Sequence, residues 1–291
     1  MNRPDSDQWQ ADFQRCHPAF SGLGASATLF ADHQIWPTLE DYQTVLAAPP
    51  TVCNHHGQPL TVMAQSHSAL HYELAIDHAG ELHTRCHCWH DFFQILVWRR
   101  WPHSKAALSA VHATATTARL ANNLAARSPI ENACTLFDEN GALLLTSAPQ
   151  LVELARNFAW RDLFVTQRAA WNEQIQCIVF GHALYEKLLQ PYIGLTAHAL
   201  LMVVPGDFWR WPATQQTTYI DDALTAMLQR PETLHSPRAL QPLPLLGIPG
   251  WHADNHDERF YDNRDYFRPG RVIRNIASQT KPMPPPRMPP P

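Results

Sequence analysis

Three histidines interrupt otherwise apolar stretches of this 291-residue chain. They are His90 in CWHDFFQILVW, His182 in FGHALYE and His198 in LTAHALLMVV. Two of them have a carboxylate close by in sequence: Asp91 follows His90 directly, and Glu186 stands four residues after His182. On a helix, positions i and i+4 share one face, so His182 and Glu186 can converge on a proton or a metal ion. Neutral imidazole nitrogen together with carboxylate oxygen suits a divalent cation. Imidazole alone suits acid–base work, because it titrates near neutral pH. The assignment that follows makes His90, Asp91 and Glu186 catalytic. His182, Glu186 and His198 are ligands of a divalent metal ion, and Lys105 and Arg268 steady an anionic substrate. A metal-free version keeps His90 or His182 as the acid–base group. Each residue also has a plainer reading: Asp91 as a helix cap, His182 and Glu186 as a surface ion pair, His198 as a hydrogen-bonded core residue.

Other clusters carry less chemistry. Cys86-His87-Cys88-Trp89-His90 puts two thiols and two imidazoles in five residues, with Cys53, His55 and His56 upstream. C-x-C is not the usual zinc-knuckle spacing, however, and no second matching pair exists. Arg264, Arg268, Arg271 and Arg274 recur near Tyr261 and Phe267, where they suit an anion clamp or a solvated edge. There is no dinucleotide-binding glycine motif, P-loop, nucleophile elbow or H-E-x-x-H zinc motif.

The elements that must position these groups read as a mixture. Residues 60–64 and 71–76 have strand character, the second through alternating Tyr72, Leu74 and Ile76. With a turn at Asp77–Gly80 and a return through Glu81–Arg85, this predicts a hairpin. The apolar run 91–98 predicts a buried helix that Pro102 ends. Leu108, Val111, Ala115 and Ala118 predict an amphipathic helix from Ser104 to about Ala126. Cys134–Phe137 and Ala142–Thr146, separated by Asp-Glu-Asn-Gly, predict a second hairpin. Helices are expected over 148–157, 160–172, 182–190 and 217–229, and strands over 175–180 and 199–204. More than half of the 25 prolines fall at or after Pro231, and the chain is irregular beyond that point. The result is an α+β fold, a single compact mixed domain over 1–277 with short strands and hairpins packed on helices. Residues 278–291 form a proline-rich, disordered tail.

Hydrophobic residues make up 45% of the chain and charged residues 16%, enough apolar material for a substantial core. A net charge of −4 disfavours nucleic acid as a partner. No apolar run approaches the length of a membrane span. Six cysteines in a chain this long suggest reduced thiols and a cytoplasmic setting.

Tyr72-Glu73, Gly80, Thr84-Arg85, His90-Asp91-Phe92-Phe93, Trp98, Pro102 and Lys105 together form an arrangement that resembles an uncharacterised bacterial family, domain of unknown function 3025. Later segments extend the likeness over roughly 20–272. They are Thr135–Gly141, Phe180-Gly181-His182-Ala183-Leu184 with Glu186, Thr196-Ala197-His198, Gly247-Ile248-Pro249-Gly250-Trp251, Phe260-Tyr261-Asp262 and Phe267-Arg268-Pro269. The resemblance implies no activity. It does mark His90, Asp91, Lys105, Asp138, His182, Glu186, His198 and Arg268 as motif positions. Gln94 stands where the pattern has Asn, and Cys86 and Cys88 lie outside it.

The functional expectation is a hydrolase acting on a small molecule, with or without a divalent metal. The alternative is a non-catalytic binding or scaffold protein that docks a protein partner through its aromatic and proline-rich C-terminal region.

Overall fold

The structure is a computed structural model that describes residues 8–65 and 71–270. The stretch expected to be a tail, 278–291, lies outside the described residues, as do Arg271 and Arg274. The architecture is α+β. A four-stranded sheet has the order β4 (Ile175–Val179), β3 (Gly141–Thr146), β5 (Thr196–Val203), β6 (Gln241–Pro244). β3 runs antiparallel to β4 and parallel to β5, and β6 is antiparallel to β5. Every residue of β3 is buried, as expected of a central strand covered on both faces. Helix α1 (Leu39–Ala47) precedes a smaller parallel pair that joins β1 (Thr61–Ala64) to β2 (Glu81–Thr84), and helix α6 (Pro149–Arg156) follows β3.

Between β1 and β2 the chain forms a helix, α2 (Tyr72–Ala79), and not the strand and hairpin that alternation at Tyr72, Leu74 and Ile76 suggested. Leu74, Ala75 and Ile76 are all buried, which a half-buried strand would not allow. Gly80, at φ 69°, ends the helix in the left-handed conformation and returns its N–H to the last turn. Residues 134–137 likewise belong to a helix, α5 (Pro129–Asn140). It begins in a reciprocal cap between Ser128 and Glu131 and runs straight into β3. Asn140-Gly141 therefore ends a helix; it does not turn a hairpin.

Helix α3 (Trp89–Arg100) is the buried helix that its sequence requires. Phe92, Phe93, Ile95, Leu96, Val97 and Trp98 are at most 1% exposed. Each such burial contributes roughly 1.5–3 kcal/mol. Phe93 stacks on Phe20 and on Tyr185 of α7 (His182–Leu188), which locks α3 and α7 side by side. Helix α4 (Pro102–Ala121) follows at once. The carboxylate of Asp221, on the helix Ala213–Leu228, accepts its first free amides, His103 N at 3.1 Å and Ser104 N at 2.9 Å. That clamp sets Lys105 facing inward, 3% exposed. Over 160–172 the expected helix is a short π turn, Asp162–Thr166, and a 3-10 turn, Arg168–Ala170. Among the described residues no helix is long and apolar enough to cross a membrane.

Candidate active site

The first turns of α3 and α7 bring His90 and His182 together. Their Nε2 atoms are 3.0 Å apart, with the rings nearly perpendicular. Gly181 makes this approach possible. A Cβ there would lie 2.3 Å from the Glu139 carbonyl oxygen, so only glycine lets the start of α7 press against the end of α5. The same contact sets Asp138 beside His182.

The polar groups form a chain. Lys105 Nζ, held behind the site over the Trp98 ring, ion-pairs with Asp138 Oδ1. Asp138 Oδ2 is 3.5 Å from His182 Nδ1, without the geometry of a hydrogen bond. His182 meets His90, and His90 Nδ1 is 3.2 Å from Glu186 Oε2 at the partly exposed end. The proton arrangement follows from these neighbours. A carboxylate wants a donor, so His90 carries a proton on Nδ1 facing Glu186. If His90 were neutral, His182 would have to donate through Nε2 and turn a bare Nδ1 lone pair towards Asp138. Placing the charge on His90 removes that conflict: His90 Nε2–H donates to His182 Nε2, and His182 keeps its proton towards Asp138.

The titration preferences agree. The hydrogen bond to Glu186 raises His90 above the usual 6.5, against its own desolvation. Burial pushes His182 down to about 4, and the attraction of Asp138 only partly offsets this. Burial alone would raise Asp138, but Lys105 and His182 hold its carboxyl below the ordinary range. The low value for His182 has a stability consequence. The folded chain keeps His182 neutral while the unfolded chain protonates it at 6.5, so its contribution is complete above that pH and is lost as pH falls towards 4. Urea unfolding should show this part of the stability falling by about 3 kcal/mol across that window. The difference between wild type and His182→Gln isolates it; an equal acid loss in the variant would contradict it.

His90 and His182 line an open hollow of about 230 Å³ together with Tyr72, Glu73, Asp91, Gln94, Asp138 and Glu139, among others. Asp91 is 6% exposed and bound by Arg85 through Nη2 at 2.8 Å, Nε at 3.1 Å and backbone N at 2.6 Å. It thus ties the end of β2 to α3.

Of the residues singled out in the sequence, His90, Asp91 and His182 line the hollow, and Glu186 joins its edge through His90. Lys105 stands behind the wall on Asp138. His198 does not line the hollow: it lies on β5 opposite Gly141, its Nδ1 buried without a partner, and burial and Lys187 lower its pKa. Arg268 is outside the hollow too, its Nε donating to the Asp265 carbonyl. Among the described residues no group of three or more His, Cys, Asp or Glu is arranged to hold a metal ion, so neither the His182–Glu186–His198 set nor the Cys86–Cys88 cluster assembles as a ligand set. Cys86 and Cys88 are free thiols, and Cys88 Sγ leans towards Asp91 at 3.9 Å.

A second polar cluster adjoins the first and was not legible in the sequence. Glu73 Oε1 is 3.4 Å from His112 Nδ1, and Arg127 donates to His112 Nε2 at 2.9 Å. His112 sits on the α4 face that periodicity marks as packing surface, so no spacing distinguishes it.

An α+β protein with a carboxylate-flanked imidazole pair in an open polar hollow is the class that fold and site define. The chain belongs to the family described as Protein of unknown function (DUF3025), whose model matches residues 61–271, including every residue lining the hollow. No curated protein and no solved structure matches the chain.

Proposed function

We propose that this protein is an acid–base enzyme, hydrolytic in reaction class, that acts on a small molecule bound in the hollow. The carrying observation is the His90–His182 contact, in which two imidazoles share a hydrogen bond while their surroundings push their pKa values in opposite directions. Such a split separates a proton donor from a proton acceptor at one pH. His90, partly exposed, is the group that touches substrate. With substrate bound, the Nε2–H of its imidazolium turns from His182 to the leaving group and is given up there, and the neutral Nε2 so formed takes the proton of an attacking water. Glu186 stabilises the imidazolium, and His182 receives the Nε2 hydrogen bond. Asp138, anchored by Lys105, orients His182 from behind. The hollow is smaller than the roughly 300–1,000 Å³ typical of sites for drug-sized ligands, so the substrate is small.

The test is turnover of p-nitrophenyl acetate, p-nitrophenyl phosphate and a small p-nitroanilide by purified protein, alongside His90→Gln and His182→Gln. Activity in the wild type that both variants lose supports the proposal. Activity that survives both substitutions overturns it. So does a silent panel combined with a His90 imidazole that titrates by NMR like a free one.

A further inference from the structure

We propose that this chain's own C-terminal segment, residues 281–291, docks in an apolar groove along α4, with Arg287 seated at Asp77. The groove measures about 640 Å³ and shares no lining residue with the hollow. Ala110, Val111, Ala115 and Ala118 recur along it at helical spacing, so one face of α4 supplies most of its surface. That face is open: Val111 and Ala115 are half-buried, Ala118 is exposed, and Ile130 of α5, in the same lining, stays 37% exposed. Leu228 and Leu234 add apolar surface from the end of the helix Ala213–Leu228 and the turn after it. Asp77 enters from α2. A contiguous apolar surface of this kind marks an interaction site.

The chemistry of the occupant follows from Asp77. It is 9% exposed and lines the groove, and its Oδ1 has no hydrogen-bond partner. His56 and His78, with side chains more than half exposed, both approach the other oxygen, Oδ2, at 3.4 Å and 3.9 Å. Buried polar atoms seldom stay unsatisfied in a native protein. An occupant that suits the groove joins an apolar body to a cationic donor. Residues 281–291, KPMPPPRMPPP, have that composition. Unbranched methionine side chains fill an uneven wall of alanines, and a proline-rich segment gives up little conformational entropy on docking. Charge favours the pairing as well. All 26 acidic residues precede residue 271, whereas four of the 22 basic residues follow Gly270, so residues 1–270 carry a formal −8 and residues 271–291 carry +4. Arg230 also lines the groove, but it is exposed, and solvent screens its charge. Reach suffices too. Arg287 lies 17 residues beyond Gly270. Extended chain of that length covers about 55 Å, against a radius of gyration of about 18 Å for a body of this size.

The initial rate of trypsin cleavage after Arg287 tests this, with the synthetic peptide 271–291 as the reference. The bond should be cut about tenfold more slowly in the full chain than in the peptide, the worth of a charge-assisted hydrogen bond. Ala118→Arg, at an exposed position of α4, should abolish the protection by obstructing the groove. Asp77→Asn should remove most of it. In the isotope-labelled full chain, Arg287→Gln should shift the amide resonances of Ala110, Ala115 and Ala118 and leave those of His90 and His182 in place. If Asp77→Asn fails to fold, Ala118→Arg and Arg287→Gln carry the test alone. Cleavage of the full chain at the peptide's rate, protection that survives Ala118→Arg, or groove amides that ignore Arg287→Gln would each overturn the proposal. So would protection that disappears on dilution, which would put the segment of a second copy in the groove.

Discussion

Lys105→Met should destabilise the folded chain by about 3–5 kcal/mol, the cost of leaving a buried carboxylate without its counter-ion. Lys105 is 3% exposed, and its ammonium group is shared between Asp138 and the face of Trp98. Methionine fills nearly the same volume and keeps the contact with Trp98, so little of the loss belongs to packing. What is lost is the charge that keeps Asp138 ionised in a largely enclosed position, its side chain 16% exposed. The chain would respond by protonating Asp138 or by unfolding. Chemical denaturation of Lys105→Met, Asp138→Asn and the double variant separates these terms. The double variant should recover most of the loss, because a buried ion pair replaced as a unit is often neutral. If Lys105→Met alone costs under about 1 kcal/mol, the value of an exposed pair, then Asp138 is solvated and the chain of charges from Lys105 to Glu186 is not continuous.

In the proposed acid–base reading this coupling also bears on proton transfer, since Asp138 faces His182. Lys105 was expected to meet an anionic substrate, and the sequence cannot show otherwise. Whether a lysine faces solvent or turns inward depends on the Asp221 clamp at the start of α4, which comes from more than a hundred residues downstream.

The same limit explains what was legible and what was not. The buried helix at 91–98 and the strands 175–180 and 199–204 could be read because apolar runs bounded by Gly or Pro carry their own signal. Tyr72–Ala79 could not. Its alternating apolar residues mimic a strand, and what decides for helix is a tertiary surface on α4 together with the Gly80 cap. In α5 the reciprocal Ser128–Glu131 cap was present in the sequence but overshadowed by Asn140-Gly141, which reads more strongly as a turn. Among site residues, His90, Asp91 and His182 stood out because they are polar interruptions of apolar segments. His112 and Arg127 did not, since a histidine among alanines on a long helix has no local reason to be singled out. The pairing of His90 with Glu186, 96 residues apart, is invisible to any spacing rule.

His90→Gln should lower kcat by about 10²–10⁴-fold on whichever substrate of the panel is turned over, the usual contribution of a positioned acid–base group. Glutamine can still hydrogen-bond to Glu186 and to His182, so the scaffold of the site is retained and the loss reports proton transfer. The pH profile separates this from a structural effect. In the wild type, the activity that needs the His90 imidazolium should fall as pH rises through a value above 6.5, because Glu186 holds that proton on. Glu186→Gln removes the partner that raises this pKa and leaves the desolvation that lowers it. The alkaline limb should therefore move to lower pH in that variant and vanish in His90→Gln. A limb that stays in place in Glu186→Gln would assign the proton to a different group, since no other carboxylate is in direct contact with His90 among the described residues.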